Sequence, residues 1–218
     1  LVGSEMCIRD REGIGVILDW TPAQFPRYAS GLEKFDGTPL YERQNPAEAI
    51  HPFWGTLLYN YGSPMVKDFL ISNACFWAEV YHADGLRMDD VDAMLYLDYG
   101  RNPGEWTPNI YGTNENLDAL EFLKHLNSVI KERNPGLLLV AQENGLWPEL
   151  TDSVENDHLG FDYKWSGGWT KDLLEYLSKD PIERKNYHDQ LTMSMLYAYC
   201  EHYIPVSYTH LRAHETTL

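Results

Sequence analysis

Two short apolar runs, each closed by an acid, constrain this chain most. Asp84-Gly85-Leu86-Arg87-Met88 ends in Asp89, and Leu137-Leu138-Leu139-Val140-Ala141-Gln142 ends in Glu143. Both runs have the length and make-up of buried strands, and a segment with helical spacing lies between them. Buried strands alternating with helices form a parallel sheet. Two acids at the same end of neighbouring parallel strands stand where α/β barrels keep their chemistry.

The pattern extends in both directions. Gly13-Ile14-Gly15-Val16-Ile17-Leu18 is a third apolar run and ends in Asp19. Pro22 and Pro26 break it, and a long loop rich in Gly, Pro and aromatics runs from about Thr21 to Tyr61. Loops of that length in compact domains are usually functional. Ser63-Pro64 opens a helix with Ser63 as N-cap and Met65, Val66, Phe69, Leu70 and Ala74 on its apolar face, ending near His82. The strand after it is expected over Gly85 to Val91. A second loop covers about Tyr99 to Gly112. Thr113 or Asn114 caps a second helix, with Leu117, Leu120, Leu123, Leu126 and Ile130 on one side, stopped by Asn134-Pro135-Gly136. Phe161 to Trp165 reads as a fourth strand, and Trp169 to Ser178 and Asp189 to Tyr203 read as helices.

Composition narrows the partners. In 218 residues, 44% are hydrophobic, enough for a sizeable core. A formal net charge of −16 repels phosphate backbones, so no nucleic-acid partner is expected. No uninterrupted apolar stretch is long enough to span a membrane, and no secretory signal opens the chain. Cys7, Cys75 and Cys200 are odd in number and far apart, which reads as reduced thiols in a cytoplasmic protein. The 7 Trp and 15 Tyr fill cores, and their faces also stack on sugars.

Strand alternation points Arg87 and Asp89 one way and Leu86 and Met88 the other. An Arg and an Asp facing inward have to pair or serve a ligand. An ionised Asp89 suits a nucleophile, and a protonated Glu143 suits the group that donates to a leaving oxygen. Such a pair fits cleavage or transfer of a glycosidic bond, with the carboxyls about 5–5.5 Å apart in retaining enzymes. Asp19, at an equivalent strand end, then accepts from sugar hydroxyls. Two other readings compete: a structural Arg–Asp pair beside an unrelated Glu, or a hard-cation site of Asp84, Asp89, Asp90 and Asp92.

These segments resemble the bacterial 1,4-α-glucan (glycogen) branching enzymes of the α-amylase superfamily. Gly13 to Trp20 with Thr21-Pro22 is similar to the family's first barrel motif, Gly31 to Glu42 to the loop after it, Asp84 to Asp89 to the nucleophile strand, and Val140 to Glu143 to the acid/base strand. Phe161 to Trp165, Asp180-Pro181-Ile182 and Tyr187 to Leu191 add to the likeness. The resemblance implies an α/β fold that is part of a (β/α)8 TIM barrel, roughly strands three to six with their helices. It implies Asp89 as nucleophile, Glu143 as general acid and base, and Arg87, Asp19 and Gln24 as substrate-binding residues. The implied reaction cuts an α-1,4-glucan and re-forms an α-1,6 link, with no metal and no cofactor.

The chain departs from that family in places. Gln24 stands where the family usually has His, and Asp90 where a small residue is usual; Asp90 is expected to face away from the site. The superfamily's third catalytic acid lies on the next strand but one after Glu143, and the likeness stops near Ile204. Residues 12–204 are therefore read as the barrel part, and residues 1–11 and 205–218 as non-native ends. Four strands without a third acid imply little transferase activity for this chain alone. An α-glucan hydrolase of the same superfamily and a non-catalytic glucan-binding protein are the alternatives.

Overall fold

A computed structural model describes residues 11–28, 30–145, 147–192 and 201–205. Its centre is a parallel sheet of β1 (Ile17–Trp20), β4 (Gly85–Met88), β5 (Leu138–Gln142), β6 (Tyr163–Ser166) and β7 (Tyr203–Pro205), adjacent in that order. Between β1 and β4, the long loop folds into a small antiparallel pair, β2 (Gln24–Phe25) with β3 (Leu57–Leu58), and a short helix, α1 (Pro46–Ala49). Parallel strands laid down in sequence order are the winding of a (β/α)8 barrel; a doubly wound sheet reverses its order part-way.

The helices form where the sequence expects them, with shifted ends. Ser63 and Pro64 start α2 (Pro64–Glu79), which stops three residues short of His82. Its core side is Val66, Leu70, Ala74, Cys75 and Ala78, whereas Met65 is mostly exposed. Asn116, not Thr113 or Asn114, caps α4 (Leu117–Arg133): its side chain accepts from Ala119 N at 3.4 Å and donates to Met94 O at 3.0 Å. Phe122, Leu123, Leu126 and Ile130 of α4 meet the α2 side and the fully buried Leu86, Met88, Leu139 and Ala141 of the sheet. Each of these side chains except that of Ala141 contributes about 1.5–3 kcal/mol of burial. Gly85 is required by closeness: a Cβ there would stand 2.9 Å from Leu138 O.

Three expectations are corrected. The strand through Asp89 ends at Met88, because Asp90 takes a left-handed conformation (φ 60°) and Val91 starts a buried helix, α3 (Val91–Leu95). Among the described residues there are five parallel strands, not four. Tyr203 opens β7 instead of closing a helix; residues 189–192 are helical, and residues 193–200 lie outside the described ones. A further helix, α5 (Gly168–Ser178), follows β6. Among the described residues, no helix is long and apolar enough to cross a membrane.

Candidate active site

The register sets Asp19 of β1 beside Arg87 of β4, and alternation brings Asp89 to the same side. Arg87 Nε donates to Asp19 Oδ1 at 2.5 Å, and Nη1 donates to Asp89 Oδ1 at 3.3 Å and to Gln142 Oε1. The indole of Trp165 lies 5.3 Å from the guanidinium. Burial works against the guanidinium's charge, yet the hydrogen bond and charge of Asp19, with those of Asp89, outweigh it and hold Arg87 above its usual range. Arg87 is almost enclosed, with 6% of its side chain exposed, while Asp89 keeps 38% and Asp19 69%. The two carboxylates are therefore open to a ligand, and the cation that holds them is not.

Sequence reading missed Gln142 and Trp165. Val140 pairs with Arg87, so Gln142, two residues on, arrives beside Asp89, and Gln142 itself pairs with Trp165. A polar residue closing an apolar strand was the signal for Gln142; nothing local marked Trp165.

Glu143 directly follows Gln142 and has no exposed surface. Its backbone N–H donates to Trp165 O at 3.1 Å, and its carboxyl meets Lys164 of β6 in an ion pair. Lys164 Nζ also donates to Gly145 O at 3.3 Å. Burial, then hydrogen bonding with Asp92, pushes the Glu143 carboxyl up to about 7 against the opposing pull of Lys164. A carboxyl so placed still carries much of its proton at neutral pH, as a general acid has to. Consecutive Cα atoms lie about 3.8 Å apart, so this cluster adjoins that of Arg87 through the Gln142–Glu143 step.

Gln24 lies outside the Arg87 cluster. Its Nε2 donates to Asp90 Oδ2 at 3.0 Å, and its Oε1 accepts from the Thr56 hydroxyl. The same Asp90 oxygen lies 2.8 Å from Nε2 of the fully buried His51. His51 Nδ1 accepts from the N–H groups of Phe53 (3.2 Å) and Trp54 (3.4 Å), so the ring proton is assigned to Nε2 and is donated to Asp90. Asp90 thus faces this loop network: its positive φ ends strand alternation and redirects the side chain.

The four acids read as a rival cation site diverge. Asp84 accepts from Val16 N at 2.7 Å, Asp89 faces Arg87, Asp90 faces His51, and Asp92 accepts from Asn144 N at 3.0 Å. Among the described residues, no group of three His, Cys, Asp or Glu is placed to hold a metal. Cys75 is a free, buried thiol.

No family model matches the chain. It is 53% identical over 194 residues to the 1,4-alpha-glucan branching enzyme GlgB of Methylococcus capsulatus, covering 89% of this chain and 26% of that protein. Against GlgB of Thermobifida fusca the identity is 51% over 197 residues, with 90% and 26% covered. A maltogenic alpha-amylase, AmyB from Thermotoga neapolitana, superposes with a TM-score of 0.55 at 14% identity over 92% of this chain and 39% of its own. An alpha-amylase from Lactobacillus plantarum gives 0.53 over 86% and 40%. The chain spans about a quarter of the length of the curated relatives it matches. By sequence it is similar to about a quarter of these 1,4-alpha-glucan branching enzymes, and its fold matches part of the barrel of these alpha-amylases.

Proposed function

We propose that this chain is the part of a glucan branching enzyme that carries the nucleophile and the general acid. In this reading Asp89 attacks the anomeric carbon of an α-1,4-linked glucose, while Glu143 protonates the departing glycosidic oxygen. Asp89 then holds the donor chain as a covalent ester. Glu143, now ionised, takes the proton from the 6-hydroxyl of an acceptor chain, which displaces Asp89 and leaves an α-1,6 link. Arg87 orients Asp89, and Asp19 accepts from hydroxyls of the reacting sugar.

One observation carries the reading: a partly exposed carboxylate held by a buried guanidinium stands one strand away from a buried carboxyl that keeps its proton near neutral pH. Unequal environments for two neighbouring acids separate the nucleophile from the acid. The relatives' printed names supply the choice of glucan and of branching.

The third acid of the superfamily belongs on the next strand but one after Glu143. That strand here is β7, and residues 206–218 beyond it lie outside the described ones. The test is product analysis. Amylose treated with the full-length protein that contains this chain is expected to gain α-1,6 signals in proton NMR, and the Asp89→Asn variant to give none. New reducing ends without α-1,6 links would favour the hydrolase reading instead. The 218-residue chain alone is expected to show little or no turnover.

A further inference from the structure

We propose that Asp92 is a positioning residue for Glu143: its carboxylate, fixed by Asn144, accepts the hydrogen that Glu143 carries and so keeps Glu143 in its acid form. This rests on the reading of Glu143 as the general acid and supplies what that reading lacks, a reason for the proton to stay beside Lys164.

The argument starts from donors and acceptors. Asp92 is 5% exposed on α3. Its Oδ2 accepts from Asn144 N at 3.0 Å and from Asn144 Nδ2 at 3.3 Å, a pair of donors suited to an ionised carboxylate. Its other oxygen, Oδ1, lines the same space as Glu143 Oε1. The space between them is marked by Gly145: a Cβ on that residue would collide with Glu143 Oε1 and stand 3.4 Å from Asp92 Oδ1. Glycine leaves that space to the two carboxyl groups.

Counted as a carboxylate, Glu143 is not satisfied. Its Oε2 meets the Lys164 ammonium in an ion pair, but Oε1 is buried without a donor. Buried acceptors left that way are costly. A proton on Oε1 turns that oxygen into a donor, and Asp92, whose Oδ1 lines the same space, is the acceptor for it. Two carboxylates in one dry space cannot both stay ionised cheaply, and the charge of Asp92 therefore favours the protonated form of Glu143.

The groups facing Glu143 come from two elements. From the α3 side come Asp92 and, at the helix end, Tyr96, whose phenol is pushed up to about 12 by burial and then by Glu143 and Asp92, so it is neutral at working pH. From β6 comes Lys164, which favours the ionised form of Glu143. Asp92 and Lys164 therefore act in opposite directions on one proton. Asp92 touches neither Asp89 nor a sugar in this scheme; it acts through Glu143.

Carbon-13 NMR of the 218-residue chain labelled at glutamate carboxyls tests this, with the Glu143 signal identified by its loss in Glu143→Gln. The wild-type signal is expected to titrate with a midpoint near 7. Asp92→Asn, which keeps the shape and an acceptor for Asn144, and Asp92→Ser are each expected to lower it by about one unit or more. Lys164→Met is expected to raise it. A midpoint that stays within a few tenths of a unit in a folded Asp92→Asn chain overturns the proposal, and so does a fall in Lys164→Met. If Asp92→Ser does not fold, Asp92→Asn decides alone. The readout needs no turnover, so a transferase with an unmoved Glu143 would lose only this inference, and a moved Glu143 in an inactive protein would lose only the branching reading.

Discussion

The Gln24 side-chain amide donates to Asp90 across 3.0 Å, tying the long loop to the first residue beyond Asp89. Two consequences follow for Asp90. Its carboxylate is the acceptor for the buried His51 N–H, and its φ of 60° is one that Asp tolerates better than Ala. Asp90→Ala is therefore expected to destabilise the chain by about 2–4 kcal/mol, by leaving the Gln24 and His51 donors, among others, unpaired and straining the backbone. Asp90→Gly loses the same bonds without the strain and is expected to cost roughly 1 kcal/mol less. Urea unfolding of the two variants checks the order; an Ala variant as stable as the Gly variant contradicts it.

Arg87 makes three contacts that need a planar fork: Asp19 through Nε, and Asp89 and Gln142 through Nη1. A lysine ammonium keeps the charge and loses that geometry. In the full-length protein, Arg87→Lys is expected to lower kcat at least tenfold while changing KM for amylose much less, because Asp89 is misplaced rather than removed. Steady-state kinetics separate the two parameters. An effect confined to KM would assign Arg87 to substrate binding alone.

Glu143 makes stability depend on pH with a definite sign. Its folded pKa is raised from 4.5 to about 7, so the folded state holds the proton more tightly than the unfolded chain does. The resulting stabilisation is fully present below pH 4.5, declines as pH rises above that value, and is gone above about 7. Glu143→Gln has no proton to lose there. The unfolding free energy of the wild type relative to Glu143→Gln is expected to fall between pH 4.5 and 7, measured by urea titration across that window. A relative stability that rises with pH would be inconsistent with the buried, proton-holding acid.

Gly145 and Gly136 make a matched pair of substitutions. A methyl at Gly145 collides with the Glu143 carboxyl, while one at Gly136 meets nothing within 4 Å. Gly145→Ala is expected to cost about 1–3 kcal/mol through displacement of that carboxyl, and Gly136→Ala to be near neutral. Thermal unfolding of both variants shows whether the space beside Glu143 is as tight as the structure makes it.

The parts legible in the sequence share one property: they are written in local patterns. Ser63-Pro64 starts a helix in both readings, and the apolar runs before Asp19, Asp89 and Glu143 are neighbouring strands. What stayed hidden depends on backbone conformation or distant pairing. Hydropathy carries Val91 into the strand, but the left-handed turn at Asp90 moves it into α3. Three residues, Tyr203 to Pro205, are too few for a period, so β7 read as a helix end. Gln24 pairs with Asp90, 66 residues away, and no local pattern names that partner. Asp92 did leave a trace, as the only acid in the wholly buried Val91-Asp92-Ala93-Met94-Leu95, though nothing local names Glu143 as what it faces.

The most direct test of the account is to trap the sugar on the enzyme. The full-length protein treated with a slow fluorinated α-glucosyl donor is digested, and the modified peptide is located by mass spectrometry. The expected result is one glucosyl unit esterified to Asp89, absent in Asp89→Asn. A label on Glu143 or on any other residue, or hydrolysis of the donor with no label on Asp89, would contradict the assignment of nucleophile and acid.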